Sequence, residues 1–213
     1  MDMVETLGSA GIIPVIAIDD AAKAVPLASA LVKGGLPVLE ITFRTECAAE
    51  AIRKIKAEVA GATVIAGTVL KISQLEAARE AGAEACVAPG FDPEVVKAAI
   101  AAGMPFCPGV ATASELSQAL SLGCRMVKFF PAESAGGVKY VKDLLGAFRW
   151  TGVKFMPTGG IKLSNVADYL AVPEIVCCGG TWIAPKDAIA AGDWAKIESL
   201  ASDASALVAK LRG

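Results

Sequence analysis

Histidine is absent from all 213 positions of the sequence. Within one chain, that excludes a Ser-His-Asp or Cys-His nucleophile and a zinc centre built on the usual histidine ligands. Acid–base chemistry falls to carboxylates, lysine, tyrosine or cysteine. No CxxC pair occurs among Cys47, Cys86, Cys107, Cys124, Cys177 and Cys178, most of which lie in or beside apolar runs. They are expected to be small buried residues in a reducing cytoplasm. Charge of either sign is also lacking in excess: 20 Lys and Arg face 22 Asp and Glu, a formal net charge of −2. Without a basic surplus to neutralise phosphates, nucleic acid is not an expected partner. Nor is there a long apolar run. The longest uncharged stretch, residues 98–114, is interrupted by Pro105, Pro108 and two glycines, so no membrane span is expected. The opening MDMVETLGSA is acidic, and no secretory leader is expected from it.

What is present is apolar substance: 54% of residues are hydrophobic against 20% charged, enough to offset the ordering entropy of a folded core. The length suits a single domain over residues 1–213. Apolar, often β-branched runs recur near residues 12–18, 36–42, 62–67, 84–88, 105–108, 125–130, 153–157 and 175–179. The fifth is weakened by proline, which removes a ladder donor. Between them lie Ala- and Glu-rich stretches of helical spacing, such as Ala48, Ala51, Ile52, Ile55 and Val59. Three of these run into Gly82, Gly103 and Gly123, where a left-handed residue can end a helix. Eight strands alternating with helices predict an α/β fold with a buried parallel sheet, a single-domain (β/α)8 TIM barrel, with a doubly wound open sheet as the alternative.

In a barrel, the chemistry gathers where the strands end. Two of the last strands end in glycine pairs, Gly159–Gly160 after Thr158 and Gly179–Gly180 before Thr181. Backbone without side chains lets N–H groups approach a phosphate, helped by a following helix N-terminus. The plainer reading is a pair of tight strand exits. Lys128 in MVKFFPAE falls within the sixth run. An amine facing a barrel interior is desolvated, which favours its neutral, nucleophilic form and suits it to Schiff-base chemistry. Lys154 in VKFMP is a competitor, closer to a strand entry, and composition does not separate the two. In the second run Glu40, Thr42 and Arg44 share one parity and so one side of a regular strand. That side carries an acid–base group and a cation, although a buried Glu can also be a merely structural ion-pair partner.

The segments VLEITFRTE, AGTVL, APG, PGVAT, VKFFPAE, MPTGGI and CCGGTW, in this order and spacing, resemble those of the 2-keto-3-deoxy-6-phosphogluconate (KDPG) aldolases, a class I aldolase family that includes 4-hydroxy-2-oxoglutarate aldolases. The resemblance implies a (β/α)8 barrel, usually a cytoplasmic homotrimer. It implies cleavage of KDPG to pyruvate and glyceraldehyde 3-phosphate in the Entner-Doudoroff route, with no metal and no cofactor. Carried over, Lys128 would form the Schiff base and Glu40 would act as general acid and base. Arg44 and Thr68 would hold the carboxylate of the substrate. Gly159, Gly160, Gly180 and Thr181 would bind phosphate, and Thr158, Phe130 and Pro89 would line the pocket. Thr181 stands where the family usually has Ser, and Ala88 also replaces a common Ser. The remaining alternatives are an aldolase for the galactonate epimer and a non-covalent phosphosugar isomerase or binding barrel.

Overall fold

The strands are short, and in most of them every residue is buried, as expected when helices cover one face of a parallel sheet and side chains fill the other. In the computed structural model, which describes residues 2–212, the helix α1 (Met3–Ala10) precedes β1 (Ile12–Ile16), α2 (Ala24–Lys33), β2 (Val38–Thr42) and α3 (Ala48–Glu58). There follow β3 (Thr63–Gly67), α4 (Ile72–Glu80), β4 (Ala85–Val87) and α5 (Pro93–Ala101). Next come β5 (Phe106–Cys107), β6 (Gly109–Val110), α6 (Ala113–Ser121), β7 (Met126–Phe129) and α7 (Gly137–Phe148). The chain ends with β8 (Lys154–Pro157), α8 (Val166–Leu170), β9 (Cys178–Gly180), α9 (Lys186–Ala191) and α10 (Trp194–Arg212). The expected glycine stops hold: Gly82, Gly103 and Gly123 follow α4, α5 and α6 with φ of 90°, 63° and 86°.

The strands form two hydrogen-bonded sheets, β5-β4-β3-β2-β1-β9 and β6-β7-β8, all pairs being parallel. They meet at two seams. At one, the fifth expected strand is split at Pro108, which has no N–H to donate. Its first half pairs with β4 and its second with β7, and the Pro108 carbonyl accepts the Lys128 N–H at 2.8 Å. At the other seam the bridges Phe155 to Ile175 and Thr158 to Gly179 join the chain of β8 and its exit to the chain that enters and forms β9. Eight staves therefore close into a barrel, and the open-sheet alternative is set aside.

Three expectations are corrected. The eighth run, expected at 175–179, becomes β9 at Cys178–Gly180, because its regular ladder is with Ile12–Pro14 of β1, whereas Ile175 and Gly179 make only isolated bridges, to Phe155 and Thr158. The fourth run begins one residue late. Glu84 turns outward, accepting the Val64 N–H at 2.7 Å and pairing with Lys56. No element was expected over residues 3–10, yet α1 forms there, capped by the Asp2 carboxylate, which accepts from Val4 N–H at 2.9 Å and Glu5 N–H at 3.2 Å. Its Met3 and Leu7 pack with Ile13, Val38, Ile65, Val87, Met126 and Met156 into a cluster that fills the amino-terminal half of the barrel interior. The larger core lies between the strands and the helices around them.

Candidate active site

Met126 of β7 and Val38 of β2 point into the barrel filling. Two residues further along each strand a side chain returns to the same face, which sends Lys128 and Glu40 into the interior just above the apolar floor. Both are buried, and the Lys128 ammonium donates to Glu40 Oε1 at 2.9 Å. The second carboxylate oxygen of Glu40 is also buried and has no partner among the described residues. An ion pair this deep is expensive to desolvate and contributes little net stability compared with apolar packing. The Phe130 ring lies beside the amine, its centroid 5.9 Å from Nζ. The competitor is separated by register: Lys154 pairs with Met126 at the strand entry, its amine reaching the Pro173 carbonyl at 3.5 Å outside the pocket.

A cavity of about 310 Å³ opens above this pair. Its walls include Glu40, Arg44, Thr68, Pro89, Lys128, Phe130, Thr158, Gly159, Gly160 and Thr181. All but one of the site residues expected from sequence thus converge here. The exception is Gly180, which is not a lining residue although its neighbours Gly179 and Thr181 are; a side chain on it would run into the Trp182 ring. Its glycine identity serves the packing of Trp182, while Gly179 lines the cavity instead.

Each rim residue is held by local structure. Thr42 Oγ1 donates to the Ile16 carbonyl at 2.9 Å and accepts from Arg44 Nε at 3.2 Å, so the guanidinium at the mouth is aimed by the strand beneath it. Thr68 has a φ of 58°, a left-handed conformation that a β-branched residue adopts only under strain, and such strain collects at functional sites. Gly67, which precedes it, has no room for a side chain: a Cβ there would sit 2.2 Å from Glu40 Oε1. Gly109 is similarly constrained, since its Cβ would lie 2.2 Å from the Pro89 carbonyl carbon, and its N–H instead donates to the Gly90 carbonyl at 3.1 Å. The wall bearing Pro89 therefore rests directly on the split fifth stave.

At the far side, Gly159 and Gly160 adopt φ of 102° and 78°. The N–H groups of Gly160, Ile161 and Thr181 have no acceptor among the described residues, and the Thr158 hydroxyl is buried without a partner. Acceptor-free donors on residues that line a cavity suit an anion. The expected helix N-terminus is not part of this cradle, because α8 starts only at Val166 and is a short helix. Thr42, Gly67, Gly109, Val15 and Ile161 were not among the expected site residues. Parity had placed Thr42 on the correct face, but the other four contribute shape, which no local pattern signals.

Comparison with known proteins agrees with this geometry. Residues 3–200 match the family model for KDPG and KHG aldolases. The chain is 45% identical over 204 residues to the 2-dehydro-3-deoxy-phosphogluconate aldolase of Treponema pallidum, covering 96% of each chain. It superimposes with a TM-score of 0.89 on the 2-keto-3-deoxy-6-phosphogluconate aldolase of Zymomonas mobilis with 3-phosphoglycerate, at 45% identity, covering 97% of this chain and 96% of that one. A TM-score of 0.91, at 39% identity, relates it to the KDPG aldolase of Legionella pneumophila with pyruvate captured at low pH as a covalent carbinolamine intermediate. That match covers 95% of this chain and 98% of the other.

Proposed function

This chain belongs to the KDPG and KHG aldolase family, and from that premise we propose how its own residues cleave 2-keto-3-deoxy-6-phosphogluconate to pyruvate and glyceraldehyde 3-phosphate. The observation that carries the assignment is the buried contact of 2.9 Å between Lys128 Nζ and Glu40 Oε1 at the base of the cavity. Glu40 takes a proton from the Lys128 ammonium, and the neutral amine attacks the C2 ketone. The carboxylic acid then protonates the departing C2 oxygen, which leaves as water and yields an iminium. The ionised carboxylate next removes the proton of the C4 hydroxyl, directly or through water. As the C3–C4 bond breaks, its electron pair moves onto the iminium to form an enamine, and the aldehyde is released. Glu40 returns the proton to C3, and hydrolysis frees pyruvate and the amine. One carboxylate serves each step because it lies within hydrogen-bond reach of the nucleophile and faces the same cavity.

The substrate spans the cavity with its carboxylate at Arg44 and Thr68 and its phosphate at Gly159, Gly160 and Thr181. Arg44 supplies a planar fork suited to a carboxylate, and the acceptor-free amides across the pocket support the phosphate end. Gly180 contributes through the packing of Trp182. Pro89, Phe130 and Thr158 shape the space between. The Legionella relative, which holds pyruvate covalently, supports the same chemistry here.

The test is a borohydride trap. Incubation with pyruvate and borohydride should leave a stable adduct on Lys128 in peptide mapping, and turnover without any adduct would return the chain to the non-covalent isomerase or binding-barrel readings. Pyruvate release measured on both C4 epimers, and on 4-hydroxy-2-oxoglutarate, ranks its substrates. We infer a homotrimer in the cytoplasm: Leu70, Ile72 and Trp150 offer exposed apolar surface, and all six cysteines are free thiols. A light-scattering mass of three chains is the expected result. No helix among the described residues is long and apolar enough to cross a membrane.

A further inference from the structure

Beside the glycine turn lies a polar pair, a buried phenol and an exposed carboxylate, that the catalytic scheme does not use. Tyr169 of α8 is almost fully buried, and its hydroxyl donates to Glu133 Oε1. Burial, and then the adjoining carboxylate, push the Tyr169 pKa up, so the phenol remains a donor. Glu133 lies five residues beyond Lys128, in the segment leaving β7. Its backbone N–H donates to the Gly159 carbonyl at 3.0 Å, and the N–H of Ala132 donates to the Thr158 carbonyl at 2.8 Å. Its side chain runs beneath Gly160, where an added Cβ would lie 2.7 Å from both Cβ and Cγ of Glu133. On its other side Gly137 closes in, its absent Cβ 3.3 Å from Glu133 Oε1 and 3.6 Å from the Tyr169 hydroxyl. The Glu133 side chain is thus held between two left-handed glycines and anchored at its tip by one phenol.

We propose that Tyr169 and Glu133 are positioning residues for the phosphate end of the pocket. Tyr169 fixes the Glu133 side chain as the support under Gly160, and Glu133 thereby sets where the amides of the Gly159–Ile161 turn stand relative to the Schiff-base lysine. Neither residue lines the cavity, so neither touches substrate. The pair selects for substrates carrying a terminal phosphate, whereas a substrate ending in an unphosphorylated group does not depend on it. The inference rests on the phosphate assignment of the preceding section.

The test is Tyr169→Phe, which keeps the packed ring and removes the donor. With KDPG, KM should rise about tenfold, the effect of losing one hydrogen bond to a carboxylate, with kcat within twofold. With 4-hydroxy-2-oxoglutarate, both constants should stay within twofold. Glu133→Gln, which keeps an acceptor for the phenol, should retain most of the KDPG affinity, and Glu133→Ala should lose it. Equal losses on both substrates would mark a purely structural role and overturn the proposal, as would an unchanged KM for KDPG in Tyr169→Phe. Borohydride trapping of pyruvate on Lys128 in the same variants keeps the two readings distinct. An adduct in the wild type with unshifted KM values rejects the positioning role alone, whereas no adduct in the wild type rejects the aldolase chemistry.

Discussion

Lys128 and Glu40 lie 88 positions apart in the chain and meet as a buried ion pair. Only the closed barrel brings them together, one from β7 and one from β2, each two residues above a floor residue of its own strand. Removing the amine should abolish the pyruvate adduct and lower turnover by about 10³-fold or more, the scale on which loss of a covalent nucleophile is felt. Lys154→Ala should leave adduct and turnover within twofold, because its amine bonds the Pro173 carbonyl outside the cavity. A persisting adduct in Lys128→Met would move the nucleophile elsewhere.

The same pair makes a stability prediction. Lys128→Met strands the Glu40 charge in the interior and should cost roughly 3–5 kcal/mol. Adding Glu40→Gln to that variant removes the stranded charge and should restore most of the loss. Urea denaturation of the two variants side by side measures the difference, and equal midpoints would mean that the carboxylate is not held as a buried anion.

Gly67 has no left-handed backbone to explain its identity; its role is to leave space. In Gly67→Ala the new methyl would meet Glu40 Oε1 at 2.2 Å, so the carboxylate must swing away from the amine. A displacement of that size should lower kcat by about 10²-fold, with the circular dichroism spectrum unchanged. An alanine variant with wild-type kcat would show that Glu40 has another productive position.

Thr181 keeps the hydroxyl of the family's usual Ser. Thr181→Ser should therefore leave KDPG kinetics within about twofold, whereas Thr181→Ala should raise KM by about tenfold through loss of a hydrogen bond to a charged group. Steady-state kinetics of the two variants decides whether the hydroxyl or the methyl matters at this wall.

The buried thiols carry a pH dependence. Burial pushes Cys86 up to about 12 from 9.0 and also raises Cys107, Cys124, Cys177 and Cys178. In the unfolded chain these thiols ionise near their ordinary value, while in the folded protein they keep their protons. Their contribution to stability is therefore complete below about pH 9 and declines as pH climbs toward the folded values, by up to about 1.4 kcal/mol per thiol per pH unit. Urea midpoints at pH 7 and pH 10 test this, together with a thiol reagent at pH 8 that should leave these five cysteines unmodified until the protein unfolds.

Much of this architecture is legible in the sequence, for identifiable reasons. The glycines that end α4, α5 and α6 and the fully apolar staves are local signals, and they locate most elements within a few residues. Parity within β2 is also local, and it aligns Glu40, Thr42 and Arg44 correctly. What stays hidden depends on distant chain. Register alone separates Lys128 from Lys154, since both sit three residues before a proline. The roles of Gly67 and Gly109 depend on atoms of Glu40 and Pro89 that only the fold brings near. The misplacement of β9 has the same origin, because its extent is set by β1, more than 160 residues earlier in the chain. Gly180 is the one local case: it looks like Gly159 as a motif, but the indole that occupies its empty side comes from Trp182, two residues on, and only the fold of that turn shows it.

The plug that Met3 and Leu7 help to make closes the barrel beneath the lysine and leaves the reaction chamber its mouth on the opposite side. Both fragments of the cleaved sugar acid, and the water that frees the second, must use it in turn. The aldehyde, attached to nothing once its bond to the enamine is broken, departs first, and the keto acid waits behind it. An order of release that other enzymes enforce with a moving lid is set here by the bond that still ties the keto fragment to Lys128.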